Sequence, residues 1–497
     1  MSIFAAVKRL FKHSAVYGVG HILTRSIVFF LMPLHTNIFP KAEMGVVGLV
    51  FAYLAIFTIV YSYGLDTAFF RFYILADNDD SRDRVFTTAF LTIIGTSLLF
   101  TAIIFFNADW ISARVFGAEV QRLNLNLPLM VRLASGILLF DALSFMPFLI
   151  LRAEEKSLPF IAFKFLNVTF NFVFNIIFIV KLNYGIEAIF VANLIASFVT
   201  FLALLPSGIR RFNFNYSTFT LKELFMFGIP YLPSTLSVAL MDTIDRPFLE
   251  HLADVEAVGL YSQGSKLGMF MALFVTAYRF AWHPFFLSTL KQENAKEIFS
   301  KVFTYVLLAC SFVFLFFSAF INEIAHFQIN GFSILGKDFW EATKVVPVIF
   351  LAYIFYAAYL NFLIGIYLHK KTKYLPWITA GGMVGNVIAN ITLIPVLGMM
   401  GAAWARTVAY VIMSVTLYIV GKRLYPVKYE WGRVLKMVLI AAAFFFITHW
   451  APVSQNALLK FVMVAIYPFV LFFSGFFQKT ELLTLKSIVT KNRFRRS

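Results

Sequence analysis

Apolar runs long enough to cross a bilayer recur along nearly the whole 497-residue chain, and short connections carrying its basic residues separate them. About 20 consecutive apolar residues span the ~30 Å hydrocarbon layer as a helix. Lipid leaves only helices or closed barrels as ways to satisfy the backbone. The pattern therefore predicts an all-α, polytopic membrane protein. Hydrophobic residues make up 60% of the chain and Phe alone supplies 63, a balance no soluble domain of this length carries. Fourteen spans are expected, roughly over 14–38, 44–72, 84–106, 127–151, 158–180, 184–206, 222–249, 255–283, 298–322, 342–367, 373–396, 401–424, 432–450 and 458–477.

The positions of the cations test that count. Lys8, Arg9 and Lys12 precede the first span, and Arg82 with Arg84, Arg152 with Lys156, Arg210 with Arg211, and Lys291 with Lys296 follow every second one. Lys370, Lys371 and Lys373 continue the series, then Lys422, Arg423 and Lys428, then the basic tail from Lys479 to Arg496. The alternate connections hold little more than Lys41, Arg114, Arg122, Lys181 and Lys337. Short cytoplasmic loops collect Lys and Arg, so both termini are expected in the cytoplasm. The net charge of +17 then reports topology, not nucleic-acid binding, because it is scattered between apolar spans. Trp110, Trp282, Trp377, Trp404, Trp431 and Trp450 fall near span ends, as an interfacial belt requires. Cys310 is the only cysteine, which excludes a disulfide framework or a thiolate metal site. The first apolar stretch contains Arg25 and lacks a cleavage site, so it is read as a span and not as a signal peptide.

The chain also repeats itself. Leu158-Pro159-Phe160-Ile161 matches Leu375-Pro376-Trp377-Ile378, and Asn175-Ile176-Ile177 before Gly185 and Ala188 matches Asn390-Ile391-Thr392 before Gly401 and Ala402. Glu43-Met44-Gly45 matches Glu256-Ala257-Val258-Gly259. The offset stays near 215 residues. Parallel repeats imply two six-helix lobes related by a pseudo-two-fold axis, with a substrate site between them. The expected division is 1–211 and 212–426, with 427–497 holding two added helices and the tail.

Charges inside spans are costly, so each is a candidate for function. They concentrate between Gly228 and Phe286, where Asp242, Asp245, Arg246, Lys266 and Arg279 lie in two apolar segments, the first also interrupted by Pro230 and Pro233. Arg25, Asp66, Arg71, Arg132, Asp141, Lys164, Glu187 and Arg406 complete the set. Arg71, Lys164, Glu187 and Arg279 lie near span ends and also suit interfacial anchoring. Asp242 and Arg246, one turn apart, also suit a structural pair. Cations prevail, which favours an anionic and specifically phosphate-bearing ligand; a lipid phosphate fits a membrane-embedded site. Arg25, Lys266, Arg246, Arg279, Arg71 and Arg132 are therefore the expected substrate-binding residues. Asp141, Asp66, Asp242 and Asp245 are the expected ion-coupling residues. No His-Glu-x-x-His and no phosphate loop occurs, so neither metal hydrolysis nor ATP hydrolysis is expected. Gly381 and Gly385 suggest helix packing.

The runs His13-Ser14-Ala15-Val16-Tyr17-Gly18, Pro33-Leu34-His35-Thr36, Gly64-Leu65-Asp66-Thr67-Ala68-Phe69-Phe70-Arg71-Phe72, Asp245-Arg246-Pro247-Phe248-Leu249, Val258-Gly259-Leu260-Tyr261-Ser262 and Trp282-His283-Pro284-Phe285 resemble bacterial polysaccharide and O-antigen flippases of the multidrug/oligosaccharidyl-lipid/polysaccharide exporter superfamily. The resemblance spans nearly the whole chain. It implies a central cavity between two lobes, bent first and seventh helices, and alternating access. It further implies an undecaprenyl-diphosphate-linked oligosaccharide moved to the periplasmic leaflet of the bacterial inner membrane, with coupling to a proton or sodium gradient and no cofactor. The partners it implies are the lipid-linked oligosaccharide, membrane lipids, a polysaccharide polymerase and glycosyltransferases, for a monomeric carrier. Relatives that move lipid II or expel cationic drugs remain alternatives, as does a membrane-embedded polymerase. The topology predicts that, in a Cys310→Ala background, single cysteines at Glu119 and Ser333 label from outside sealed cells while those at Ser81 and Lys371 do not.

Overall fold

The computed structural model of the chain describes residues 29–290, 292–329, 331–369, 371–478 and 481. Helices account for nearly all of it; the one sheet among the described residues is the two-stranded hairpin of β1 (Gln328–Ile329) and β2 (Phe332–Ser333). The first half contains α1 (Leu31–Ile38), α2 (Lys41–Ser62), α3 (Leu65–Ile74), α4 (Asp79–Phe106), α5 (Leu127–Ala153), α6 (Ser157–Asn175) and α7 (Glu187–Ile209). The second half follows with α8 (Thr218–Gly228), α9 (Leu232–Thr243), α10 (Asp245–Leu252), α11 (Val255–Leu267), α12 (Met269–Thr289), α13 (Ala295–His326), α14 (Val346–Phe362), α15 (Leu375–Leu397) and α16 (Met399–Leu424). Two further helices, α17 (Trp431–His449) and α18 (Ala457–Phe473), pack on α13.

Ten described helices are long and apolar enough to cross a membrane, and they overlap expected spans two to six and nine to thirteen, although the expected span 44–72 breaks at Tyr63 and Gly64, both at positive φ, into α2 and α3. The protein is a multi-pass membrane protein. Expected span seven is the bent pair Thr218–Tyr231 and Thr235–Thr243, which turns through 47°. Pro230 and Pro233 remove backbone donors there, and a single 3₁₀ turn at Ile229–Tyr231 takes up the bend. Span eight is interrupted at Gly268, and the last apolar helix, Ala457–Phe473, has 17 residues. Most of expected span one lies outside the described residues.

Side-chain placement corrects two details. Trp110, Trp377, Trp404, Trp431 and Trp450 are exposed, but Trp282 is buried and donates its indole N–H to the Leu360 carbonyl at 3.1 Å, so it belongs to the core and not to the belt. In the Gly-x-x-x-Gly stretch, a Cβ at Gly381 would meet nothing, whereas Cβ atoms at Gly382 and Gly385 would strike Met413 and Ile412 of α16. The packing face is therefore Gly382 and Gly385.

The two halves meet at a matched pair of repeat segments. α2 and α11 pack against each other at their N-termini, and the contact is reciprocal. A Cβ at Gly45 would lie 2.1 Å from the Val255 carbonyl oxygen, and one at Gly259 would lie 2.2 Å from that of Lys41. Backbones this close require glycine. Polar ties surround the contact: Lys41 pairs with Glu256 at 3.0 Å, the Val255 N–H donates to Glu119, and the Gly117 N–H donates to Glu250. The hairpin segment straps over α1, with the Asn37 amide donating to the Ser333 carbonyl and accepting from the Ser333 N–H, while the Gly336 N–H reaches Thr36. Toward the opposite end of α2, Gly64 at φ +81° abuts Gly228 backbone to backbone, and Tyr63 and Phe72 pack on Phe225 and Phe227. Beyond it, Arg211 anchors the link between halves on Glu154 at 2.8 Å. Burial opposes the charge of Glu154, but hydrogen bonds from Lys156, Arg211 and Tyr73 outweigh it and hold the carboxyl below the usual range.

Because Ser333 is only 2% exposed, Phe332 beside it, 51% exposed, is the better cysteine position for labelling. Gly259→Ala is expected to destabilise the protein by about 1–3 kcal/mol by forcing α2 and α11 apart; an unchanged melting temperature of the purified variant would contradict the contact.

Candidate functional site

Between the two inter-half contacts lies a cavity of about 550 Å³, within the ~300–1,000 Å³ of small-ligand sites. α1, α2, α6 and α7 line it from the first half, and α9, α10, α11, α14 and α16 from the second. Of the expected residues, Asp242, Arg246 and Lys266 reach it together. Arg406 and His35, noted in the sequence but not assigned to the site, join them.

The site is built on one buried carboxylate. Asp245 is fully buried; it accepts from Arg406 at 2.9 Å, from Asn390 at 3.2 Å and from the Tyr261 hydroxyl. Arg406 also donates to the Asp242 carbonyl at 3.0 Å, locking the junction of α9 and α10 onto α16. Asp242 and Arg246 do not form the expected side-chain pair. The Asp242 carboxylate instead accepts from the Tyr410 hydroxyl at 2.9 Å, and Arg246 donates to the Asp242 carbonyl and to Ser262, each at 3.2 Å. The reason is competition: helix α16 brings a phenol and a guanidinium to groups that the sequence spacing alone would have paired. Arg246 thus has no carboxylate partner, and Lys266 has no hydrogen-bond or ion-pair partner among the described residues.

The repeat recurs in side-chain chemistry. In the first half the Asn175 amide donates to Asn171 and meets the ring of buried His35 at 2.8 Å. In the second half Asn390, at the matching place, donates to Asn386 and to Asp245. The sequence offered Asn175 and Asn390 as a matched pair, but only the packing shows that each holds an ionisable group.

The other expected residues do not converge here. Arg71 stacks on the Phe227 ring at 4.4 Å, Arg132 pairs with Asp109 at an exposed position, and Arg279 reaches the Tyr356 hydroxyl at 3.5 Å. Asp66 accepts from its neighbour Thr67. Asp141 borders a separate pocket of about 20 Å³ with Thr58, Tyr61 and Ser62, room for about one water molecule. Asp245 touches the site through Arg406 and does not line the cavity itself. Arg25 lies outside the described residues.

Two helical halves closing on a polar cavity inside the membrane give the fold of solved transporters. The structure of "Lipid II flippase MurJ, inward closed conformation" is similar with a TM-score of 0.75 and 15% identity, covering 93% of this chain and 99% of that one. "Inward-facing conformation of a multidrug resistance MATE family transporter of the MOP superfamily" gives 0.60 and 15%, covering 85% and 94%. At the level of sequence, the chain belongs to the polysaccharide biosynthesis protein family, whose model matches residues 10–290, more than half its length. A Haemophilus influenzae protein named "Lsg locus putative protein 1" is 24% identical over 439 residues, which are 80% of this chain and all of that one.

Removing one partner of a buried ion pair leaves the other charge uncompensated and costs about 3–5 kcal/mol. Asp245→Asn is therefore expected to lower the melting temperature sharply, and Asp245→Asn with Arg406→Gln to recover part of the loss. Equal stability of the single variant and the unmodified protein in a thermal melt would contradict the pair.

Proposed function

We propose that the protein is a flippase that carries an undecaprenyl-diphosphate-linked oligosaccharide from the cytoplasmic to the periplasmic leaflet of the bacterial inner membrane by alternating access. The observation that carries this reading is the cavity's charge: among the described residues Arg246, Lys266 and Arg406 meet two carboxylates, Asp242 on the cavity wall and Asp245 paired with Arg406, so one positive charge is in excess and Lys266 has no ion-pair partner. A diphosphate supplies the missing anion, and the planar Arg fork suits its oxygens. The family supports a role in polysaccharide assembly, and the fold supports transport. With both termini cytoplasmic, the Gly45–Gly259 contact closes the periplasmic end, and the Gly64–Gly228 contact lies toward the cytoplasm. Division of the chain at 211 and 426 fits this scheme, since residues near both places lie between packed helices. Asp141, beside its water-sized pocket, is the proposed site for a coupling proton or sodium ion.

A lipid II flippase is the second reading, favoured by the high similarity of fold to that structure. A cationic-drug exporter fits the cation-lined cavity poorly. A charge-assisted contact contributes roughly 1.5–3 kcal/mol, or about 10- to 150-fold. Lys266→Met in liposomes is expected to lose at least tenfold in leaflet exchange of a fluorescent prenyl-diphosphate oligosaccharide. Side-by-side transport of that substrate, a prenyl-diphosphate muropeptide and a cationic dye separates the three readings, and exchange unaffected by Lys266→Met would overturn the diphosphate site.

A further inference from the structure

The cavity has a second face that charge does not explain. Asn167 and Asn193 line it from α6 and α7 and have no hydrogen-bond partner among the described residues. Asn171, one turn from Asn167, also lines it, and its side-chain oxygen is taken by Asn175. From the other half comes Gln263, which borders the cavity, is 1% exposed, and has neither amide atom hydrogen-bonded within the protein. The Ser265 hydroxyl, two residues on, is likewise buried without a partner. Leaving a buried polar group unpaired is destabilising. A leucine at position 263 would fill similar space without that cost, so the glutamine is there at the expense of stability.

We infer that these amides form a saccharide subsite that recognises the sugar directly attached to the diphosphate. Gln263 precedes Lys266 by three residues on α11, which puts the two side chains on one helix face with Cβ atoms about 5–6 Å apart. A phosphate held by Lys266 therefore places the group bonded to it beside Gln263. Asn167 and Asn193 line the same cavity from the first half, so both halves offer amides to the sugar. Amides suit this role because each offers a donor and an acceptor, as do sugar hydroxyl and acetamido groups. A cation would bind the phosphate end and leave a neutral sugar indifferent. The Gln263 amide is buried at the cavity border with both of its polar atoms unpaired, so it has a donor and an acceptor free for a ligand. A bare prenyl diphosphate would satisfy Lys266 and Arg246 but leave these amides unpaired, so discrimination resides in the amides.

The subsite rests on the diphosphate reading above, and the test separates the two. The full-length protein in phosphatidylcholine nanodiscs is titrated with a short-chain prenyl diphosphate and with the same lipid bearing one sugar, with and without an acetamido group. The unmodified protein is expected to bind the glycosylated probes about tenfold more tightly than the bare one. Gln263→Leu and Asn193→Leu should each bring that ratio close to one while leaving bare diphosphate affinity within about twofold, and Gln263→Leu should melt no lower than the parent. Lys266→Met should weaken all probes together. A sugar preference retained in both leucine variants overturns the subsite and leaves the diphosphate site standing. Binding of every probe unchanged by Lys266→Met overturns the underlying reading. Competition by phosphatidylglycerol nanodiscs that disappears in Gln263→Leu would assign the amides to a glycerol headgroup and also overturn the subsite.

Discussion

Without water in the bilayer core, a buried charge persists only when the protein itself solvates it. Asp245 shows how much structure that demand organises. Its carboxylate gathers Tyr261 from α11, Asn390 from α15 and Arg406 from α16 onto α10, so one side chain fixes four helices around the cavity. With Asp245 and Asp242 engaged in this way, Arg246 is left directed at the cavity beside Lys266. Three cations, Arg246, Lys266 and Arg406, thus meet two carboxylates, Asp242 and Asp245, and the site carries one excess positive charge among the described residues. His35 held by Asn175 is the corresponding node of the first half. A duplicated amide pair therefore carries a different ionisable group in each lobe, which makes the cavity chemically lopsided in a symmetric frame.

The two closures around the cavity differ in chemistry. The end formed by α2 and α11 combines glycine-mediated backbone contact with ion pairs and hydrogen bonds to loops, including Lys41–Glu256 and Asn37–Ser333. Each such hydrogen bond contributes only about 0.5–1.5 kcal/mol net. The other contact is largely aromatic, with Phe225, Phe227 and Arg71 packed around Tyr63 and Phe72. It is made by α8, the segment before the proline bend. The 3₁₀ turn at Ile229–Tyr231 separates α8 from the Asp245 node, which lies past the bend.

Much of the molecule was legible in the chain. Apolar run length gave membrane helices, and ten of the expected spans overlap long apolar helices. The 215-residue repeat was visible because both lobes need the same glycines and amides at the same contacts. The site was less legible. Lys266, Arg246 and Asp242 line one cavity, but Arg71, Arg132 and Arg279 find other partners, and intramembrane charge alone does not say which face of a helix it occupies. Gln263 gave no signal, since a neutral amide within an apolar span carries no charge to flag it.

The sequence by itself determined that this chain crosses the membrane many times, that it is built from two like halves, and that its buried charges lean cationic. These follow from local composition and periodicity, because each span must satisfy its own backbone in lipid. Tertiary structure decided which charges neutralise one another. Asp242 precedes Arg246 by four residues, across the junction of α9 and α10, yet Tyr410 takes its carboxylate and Arg406 takes Asp245, both from a helix about 160 residues further along the chain. Pairing in a dry interior goes to the partner with the best geometry, and that partner exists only once the helices have packed.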